Sequence, residues 1–261
     1  MTADGFGAGC AWIDGNYFPI GEARIPILDT GFVRSDLCYD VVAVWQGRFF
    51  RLDDHLDRLL AGCARIRLEP PADRAAIRGI LIEVVRRSGL RDAYVEAVVT
   101  RGTQRIPPAS VDPTVKNFHW GDLVRGQFEA YDRGAVLPIL PGAGGLVAEG
   151  PGFNVFALVD GVLRTPAGGV LEGITRRTVL ELAEAQNIRA EAADLPVASL
   201  YRATELFLTS TAGGVMPVAT LDGRPVGDGR PGPVTTALRD AYWALHTDPR
   251  YTTEVDYPGK G

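Results

Sequence analysis

Residues 101–114, Arg-Gly-Thr-Gln-Arg-Ile-Pro-Pro-Ala-Ser-Val-Asp-Pro-Thr, constrain the fold of this chain more than any other stretch. Three prolines and a glycine in so short a span cannot continue a helix or a central strand, because proline lacks a backbone N–H and has a fixed φ. Such a stretch reads as an inter-domain linker. On either side of it, strand-like and helix-like periods return. The expectation is an α+β protein in two domains: a small N-terminal domain over residues 1–104, a linker over 105–112 and a larger domain over 113–261. With 261 residues the chain can bury a sizeable core.

Before the linker, Tyr39-Asp-Val-Val-Ala-Val-Trp45 is rich in β-branched and aromatic residues. Gln46-Gly47 turns it and Arg48-Phe-Phe-Arg51 returns, which predicts a hairpin. Asp53 or Asp54 can cap a helix with Leu56, Leu59, Leu60 and Cys63 on one face. A second helix is predicted from Asp73 to Arg87, closed by Ser88-Gly89. Residues 93–100 read as a strand. After the linker, helices are predicted over 121–133, 175–186 and 232–245, and strands over 153–159, 162–163 and 205–209.

Composition removes several functions. A formal net charge of −5 argues against nucleic-acid binding, which needs a basic face. Cys10, Cys38 and Cys63 form no Cys-x-x-Cys and are odd in number, so a disulfide framework is not expected and a reducing compartment is favoured. His55, His119 and His246 lack ligand spacing, so no metal site is expected. No basic segment followed by an apolar run opens the chain, and no run reaches membrane-spanning length. The expectation is a soluble, cytoplasmic protein that does not bind membranes.

Four features can carry chemistry. The chain has only two lysines, Lys116 and Lys260. Lys116 follows a short extended run after a proline, and a desolvated lysine becomes a nucleophile; the plainer reading is an exposed loop lysine. Glu149-Gly-Pro-Gly-Phe-Asn154 puts a carboxylate in a glycine-rich turn before an apolar strand, where it can pair with a cationic ring nitrogen or be a surface acid. Glu172-Gly-Ile-Thr-Arg-Arg-Thr opens a helix, whose N–H groups bind phosphate or are simply capped. Thr209-Ser-Thr-Ala-Gly-Gly214 follows a strand and offers hydroxyls and N–H groups as an anion nest, or only ends the strand. Taken together, an amine, an acid and two phosphate-type loops suit pyridoxal 5′-phosphate.

Longer segments carry a resemblance. They are Asp29-Thr-Gly-Phe-Val-Arg-Ser-Asp-Leu-Cys-Tyr-Asp40, Arg48-Phe-Phe-Arg-Leu-Asp-Asp-His-Leu-Asp-Arg58, Tyr94-Val-Glu-Ala-Val-Val-Thr-Arg-Gly102 and Asp112-Pro-Thr-Val-Lys-Asn117. Trp120-Gly-Asp-Leu-Val-Arg-Gly126, Glu149–Asn154, Gly169-Val-Leu-Glu-Gly-Ile-Thr-Arg176 and Thr211-Ala-Gly-Gly-Val-Met-Pro217 follow in order. In these the chain resembles the branched-chain/D-amino-acid aminotransferase group of pyridoxal-phosphate enzymes, fold type IV, and within it the (R)-selective amine transaminases.

The resemblance implies a small N-terminal α/β domain and a larger domain with a pseudo-barrel sheet. It implies that Lys116 is the Schiff-base lysine and proton shuttle, and that Glu149 is the partner of the pyridinium nitrogen. It makes Arg58, Ile174, Thr175 and Thr211 phosphate ligands. Arg34, Tyr39, Tyr94 and Glu96 match positions lining the substrate pocket, although the position of Arg34 is often a histidine in the (R)-amine group. The implied reaction is ping-pong transfer of an amino group from an amine or amino acid to a keto acid such as pyruvate, by a homodimer. The match is interrupted once: between Gly102 and Arg105 the family carries a longer stretch, whose loss would leave a sheet edge unpaired. Other enzymes of the same fold are the near alternatives: a D-amino-acid or branched-chain aminotransferase, or an aminodeoxychorismate-lyase-like enzyme. A non-catalytic scaffold of this fold is the alternative of another class.

Overall fold

The computed structural model describes residues 5–102, 114–118 and 120–257, so the linker expected over 105–112 lies outside the described residues. The chain divides into two compact units, Met1–Phe118 with His246–Gly261, and His119–Leu245.

In the first unit β1 (Cys10–Ile13) and β2 (Asn16–Pro19) form an antiparallel hairpin. The short helix α1 (Thr30–Arg34) is capped by Asp29, which accepts from Gly31 N–H at 2.7 Å and from Thr100 Oγ1 at 2.8 Å. The expected hairpin forms from β3 (Leu37–Trp45) and β4 (Arg48–Phe50), with Val44 opposite Phe49 and Trp45 opposite Arg48. Gln46 and Gly47 take φ of 50° and 82°, the left-handed pair whose twist matches that of the strands. Helix α2 (Leu52–Arg65) begins differently from the expectation. Its cap position falls on Arg51, in the left-handed region, and Asp53 and Asp54 lie in the first turn, where carboxylates suit the helix dipole. Helix α3 (Arg74–Ser88) has the expected ends: Asp73 accepts from Ala76 N–H at 2.8 Å, and Gly89 closes it with φ 68°. β5 (Ala93–Thr100) runs antiparallel along β3, from Leu37 opposite Thr100 to Val44 opposite Ala93.

Strand alternation then sorts the residues. Val42, Val44 and Val95 pack against Leu52, Leu56, Ile77 and Leu81 of α2 and α3. Each such side chain contributes roughly 1.5–3 kcal/mol by burial. The other face of the same strands carries Tyr39, Val41 and Ala43, paired with Val98, Glu96 and Tyr94.

The second unit contains α4 (Gly121–Asp132), β6 (Asn154–Val159), β7 (Val162–Pro166), α5 (Ile174–Ala185), β8 (Ala190–Ala193), α6 (Val197–Leu200), β9 (Glu205–Ser210), β10 (Gly214–Pro217), the small pair β11 (Thr220–Leu221) and β12 (Arg224–Pro225), and α7 (Pro233–Ala244). Its sheet has the order β10-β9-β6-β7-β8. Only β7 and β8 are parallel, and α5 is the crossover such a pair needs. Central β6 is buried on both faces. Val155, Ala157 and Val159 pack with Leu206 and Leu208, and Phe156 stacks on Phe207 at 5.0 Å. Glu205 accepts from the N–H groups of Val234 and Thr235 at 3.1 and 2.7 Å and so caps α7.

The expected pseudo-barrel is not what the described residues form. Five strands with β10 and β8 as separate edges make an open sheet, and closure with a filled interior takes about eight. β13 (Thr252–Glu254) pairs with β4 of the first unit, with Thr252 opposite Phe50, and residues 114–118 also group there. The resulting order β13-β4-β3-β5 leaves β5 with one neighbour among the described strands. Among the described residues no helix is long and apolar enough to cross a membrane.

Candidate active site

Two sets of side chains, one on each unit, hold the sequence-predicted site residues. On the first unit, Lys116 lies beside β3, where Tyr39 N–H donates to Lys116 O at 2.9 Å. The preceding Val115 is buried with Cys38, Leu59, Cys63 and Val99. Lys116, the next residue, instead meets the side chain of Tyr39. There Lys116 Nζ donates to Tyr39 Oη at 3.2 Å and sits 4.3 Å from the centre of its ring. Phe118 tilts against the same ring at 4.5 Å. Tyr94 and Glu96 share this face of the sheet and are exposed on it, while Tyr39 is buried. Arg34 is the last residue of α1.

Arg58 is on α2 and takes the other face of β3. Its Nε and Nη2 donate to Asp40 Oδ2 and Oδ1 at 2.7 and 2.8 Å, a side-on fork. His55, one turn earlier on α2, places Nδ1 2.8 Å from Asp40 Oδ1. Burial raises the Asp40 carboxyl, but the hydrogen bonds of Arg58 and His55 and the charge of Arg58 outweigh this and hold it at about 2. Burial pushes His55 below its ordinary value against the pull of Asp40, so the ring is neutral.

On the second unit, Glu149 is positioned by backbone and side chain together. Its Oε2 accepts from Leu171 N–H at 3.0 Å and from Asn154 Nδ2 at 3.2 Å. Asn154 Nδ2 also donates to Leu171 O at 2.8 Å. Buried Arg176 donates to Pro166 O at 2.8 Å; burial lowers its pKa, and Glu172 and Glu149 oppose the shift.

The two phosphate-type loops of this unit converge. Ile174 and Thr175 open α5, and the cap residue Gly173 provides no side-chain bond to their N–H groups. Thr175 Oγ1 lies 3.4 Å from Tyr242 Oη on α7. Tyr242 also underlies the turn that holds Thr211: a Cβ on Gly214, at φ 61°, would come within 2.8 Å of its ring. A Cβ on Gly173 would meet Asn154 Oδ1 at 2.2 Å. Only glycine fits either position, so Tyr242 and Asn154 bring the α5 start, the Thr211 turn and Glu149 into one neighbourhood. Opposite Asn154 on β9, the buried Thr209 Oγ1 has no partner among the described residues.

The sequence did not mark Asp40, His55 or Tyr242 as functional, and assigned Asn154 no role. Asp40 and His55 stand inside quoted motifs, and a polar residue in an otherwise apolar strand was the signal available for Asp40. Nothing local to Tyr242 tells it from a core aromatic.

Comparison with known proteins gives the family of the chain. The amino-transferase class IV family matches residues 37–106 and 103–221, two pieces that meet where the resemblance is interrupted. A D-alanine aminotransferase of Listeria innocua is 28% identical over 264 residues, covering 85% of this chain and 90% of that protein. A T.th. branched-chain amino acid aminotransferase with pyridoxamine 5′-phosphate is 25% identical, with a TM-score of 0.89 over 95% of this chain and 99% of that one. The branched-chain aminotransferase of Thermoproteus uzoniensis with norvaline, also 25% identical, gives 0.83 over 95% and 99%. This chain belongs to amino-transferase class IV, the pyridoxal-phosphate-dependent aminotransferases.

Proposed function

We propose that this enzyme moves an amino group from an (R)-amine or an amino acid to a keto acid such as pyruvate, in ping-pong order and as a homodimer. In this reading Lys116, Arg58, Glu149, Ile174, Thr175 and Thr211 hold pyridoxal phosphate, and Arg34, Tyr39, Tyr94 and Glu96 line the donor pocket. The cofactor, when bound, supplies a carbonyl for the amino group and a ring that withdraws electrons. The donor set fits it. An amine is aimed by Tyr39, a carboxylate is fixed by Leu171 and Asn154, and an uncapped helix start converges with a glycine turn.

The residues then divide the work. Lys116 Nζ holds and moves the proton of the amine-bearing carbon, with Tyr39 Oη keeping it in place. Glu149 offers a negative charge that favours a protonated ring nitrogen. Arg58 and the α5 N–H groups offer positive charge to a phosphate.

The observation that carries the donor class is the open face of β3 and β5. Along it lie Leu37, Tyr39, Val41, Ala43 and Trp45 of β3 and Tyr94, Glu96, Val98 and Thr100 of β5, which are aromatic, apolar, hydroxyl-bearing and acidic. This favours an amine with an apolar substituent over a donor bearing a carboxylate. The dimer is supported by an exposed apolar stripe on α4, Val124, Phe128 and Tyr131, at helical spacing. A second reading, a D-amino-acid or branched-chain aminotransferase, is favoured by the names of the relatives.

One experiment separates these. Purified wild type and Lys116→Ala are mixed with (R)- and (S)-1-phenylethylamine, D-alanine and L-leucine while the visible spectrum is recorded. Bleaching of the wild-type band by the (R)-amine, absent in the variant, supports the first reading. Bleaching by D-alanine or L-leucine alone overturns the (R)-amine donor and leaves the second reading. A protein that no donor bleaches is not a transaminase for these classes.

A further inference from the structure

The phosphate role of Arg58 leaves one fact unexplained. Asp40, buried and charged, lies directly against the guanidinium. A carboxylate there weakens the pull of Arg58 on an anion, and burying such a pair costs desolvation. Its geometry suggests what is gained.

Asp40 engages Arg58 side-on through Nε and Nη2. Two parallel bonds fix both the plane and the heading of the guanidinium, a group that otherwise has many rotamers. Held this way, the guanidinium as a whole keeps one orientation, as a ligand to a phosphate oxygen requires. Asp40 is in turn fixed by His55. A charged carboxylate only accepts, so His55 Nδ1 carries the hydrogen in their 2.8 Å contact. The 3.5 Å approach of Arg58 Nη2 to the same nitrogen then faces donor to donor and is not a bond. The order runs from His55 to Asp40 to Arg58, with both helix residues one turn apart on α2 and the acid on β3.

We propose that Asp40 and His55 are positioning residues that orient Arg58 for the cofactor phosphate. This rests on the reading of Arg58 as a phosphate ligand. Asp40 fixes the guanidinium, and His55 fixes Asp40 without adding a charge. The three residues form one unit, whose purpose is direction rather than net attraction.

The test compares two loads on the full-length protein: pyridoxal phosphate and unphosphorylated pyridoxal. Dissociation of each is followed by absorbance after dilution, and the bound phosphate by ³¹P NMR. The variants are Asp40→Asn, Arg58→Met and the double variant. Asp40→Asn is expected to release pyridoxal phosphate about tenfold faster, the size of a lost charged hydrogen bond. It should shift the phosphorus signal, leave pyridoxal release unchanged and add nothing in the Arg58→Met background. Equal loss of both loads means a general structural role and overturns the proposal, as does unchanged or slower release of pyridoxal phosphate from Asp40→Asn. If Arg58→Met itself holds pyridoxal phosphate normally, the phosphate reading of Arg58 fails and the proposal with it. If instead Arg58→Met loses the phosphorylated load and Asp40→Asn does not, only the positioning claim fails. Should Asp40→Asn not fold, His55→Gln takes its place, with the same phosphate-selective loss expected and the same results overturning the claim.

Discussion

Lys116 Nζ and Tyr39 Oη are 3.2 Å apart, and the same amine lies 4.3 Å from the centre of the tyrosine ring. Because Tyr39 N–H also holds Lys116 O at 2.9 Å, one residue fixes both the backbone and the tip of the lysine. Tyr39→Phe removes the hydroxyl and keeps the ring. If Lys116 has the proposed role, kcat of this variant should fall by about three- to tenfold with KM little changed, because a misplaced acid–base group loses rate rather than affinity. Lys116→Ala should lose at least about 10²-fold. Steady-state kinetics check both, and thermal melts should show Tyr39→Phe within about 1 kcal/mol of wild type.

Glu149 gives a prediction about charge alone. Glu149→Gln keeps the size and the contact to Leu171 N–H but removes the anion. The variant should fold normally and lose roughly 10²-fold in kcat, as is usual when a preorganised charge is removed from an active site. Unchanged turnover in rapid-mixing assays would remove Glu149 from the chemistry.

The glycine at the start of α5 should not tolerate a methyl group. Gly173→Ala puts a Cβ 2.2 Å from Asn154 Oδ1, the residue that also holds Glu149. It should destabilise the protein by about 1–3 kcal/mol by overpacking. Gly168→Ala, with nothing within 4 Å of its Cβ, is the control and should stay within about 0.5 kcal/mol. Urea midpoints of the two variants measure the difference.

Acid should weaken the first unit in two stages. His55 titrates below its ordinary 6.5 in the folded protein, so the unfolded chain binds more protons as pH falls below that value. The stability from a neutral buried His55 is complete above 6.5 and is lost as pH falls towards the folded value. Asp40 faces Arg58 and His55 and titrates at about 2 instead of 3.8, so its contribution is complete above 3.8 and is lost as pH falls through about 2. That shift is worth roughly 2 kcal/mol. The groups facing His55 are Asp40, Arg58 and Asp54. Denaturant midpoints between pH 3 and 8 should therefore decline from near 6.5 downwards, and His55→Gln should flatten the upper part of that decline.

The sequence determined what depends on neighbours along the chain. Gln46-Gly47 specifies a hairpin turn, Asp73 and Gly89 mark the ends of α3, and the 3.6-residue stripe of Leu56, Leu59 and Cys63 marks the buried face of α2. Lys116, Glu149 and the α5 start stand out in the sequence because each belongs to a run of motif residues in a fixed order, and their roles are the ones proposed above.

Other features belong to the tertiary structure. Ala190-Glu-Ala-Ala193 has the composition of a helix and becomes β8 because β7 offers a parallel edge to pair with. Thr252–Glu254 becomes a strand only against β4, which lies far earlier in the chain. The sheet of the second unit is open because its edge strands are not paired with each other, which strand propensities cannot state. The links from Asp40 to Arg58, Asn154 to Glu149 and Tyr242 to Thr175 join residues on different elements or across loops. Side-chain meetings of that kind are set by how helices and strands pack, and packing is a property of the folded chain rather than of any window of its sequence.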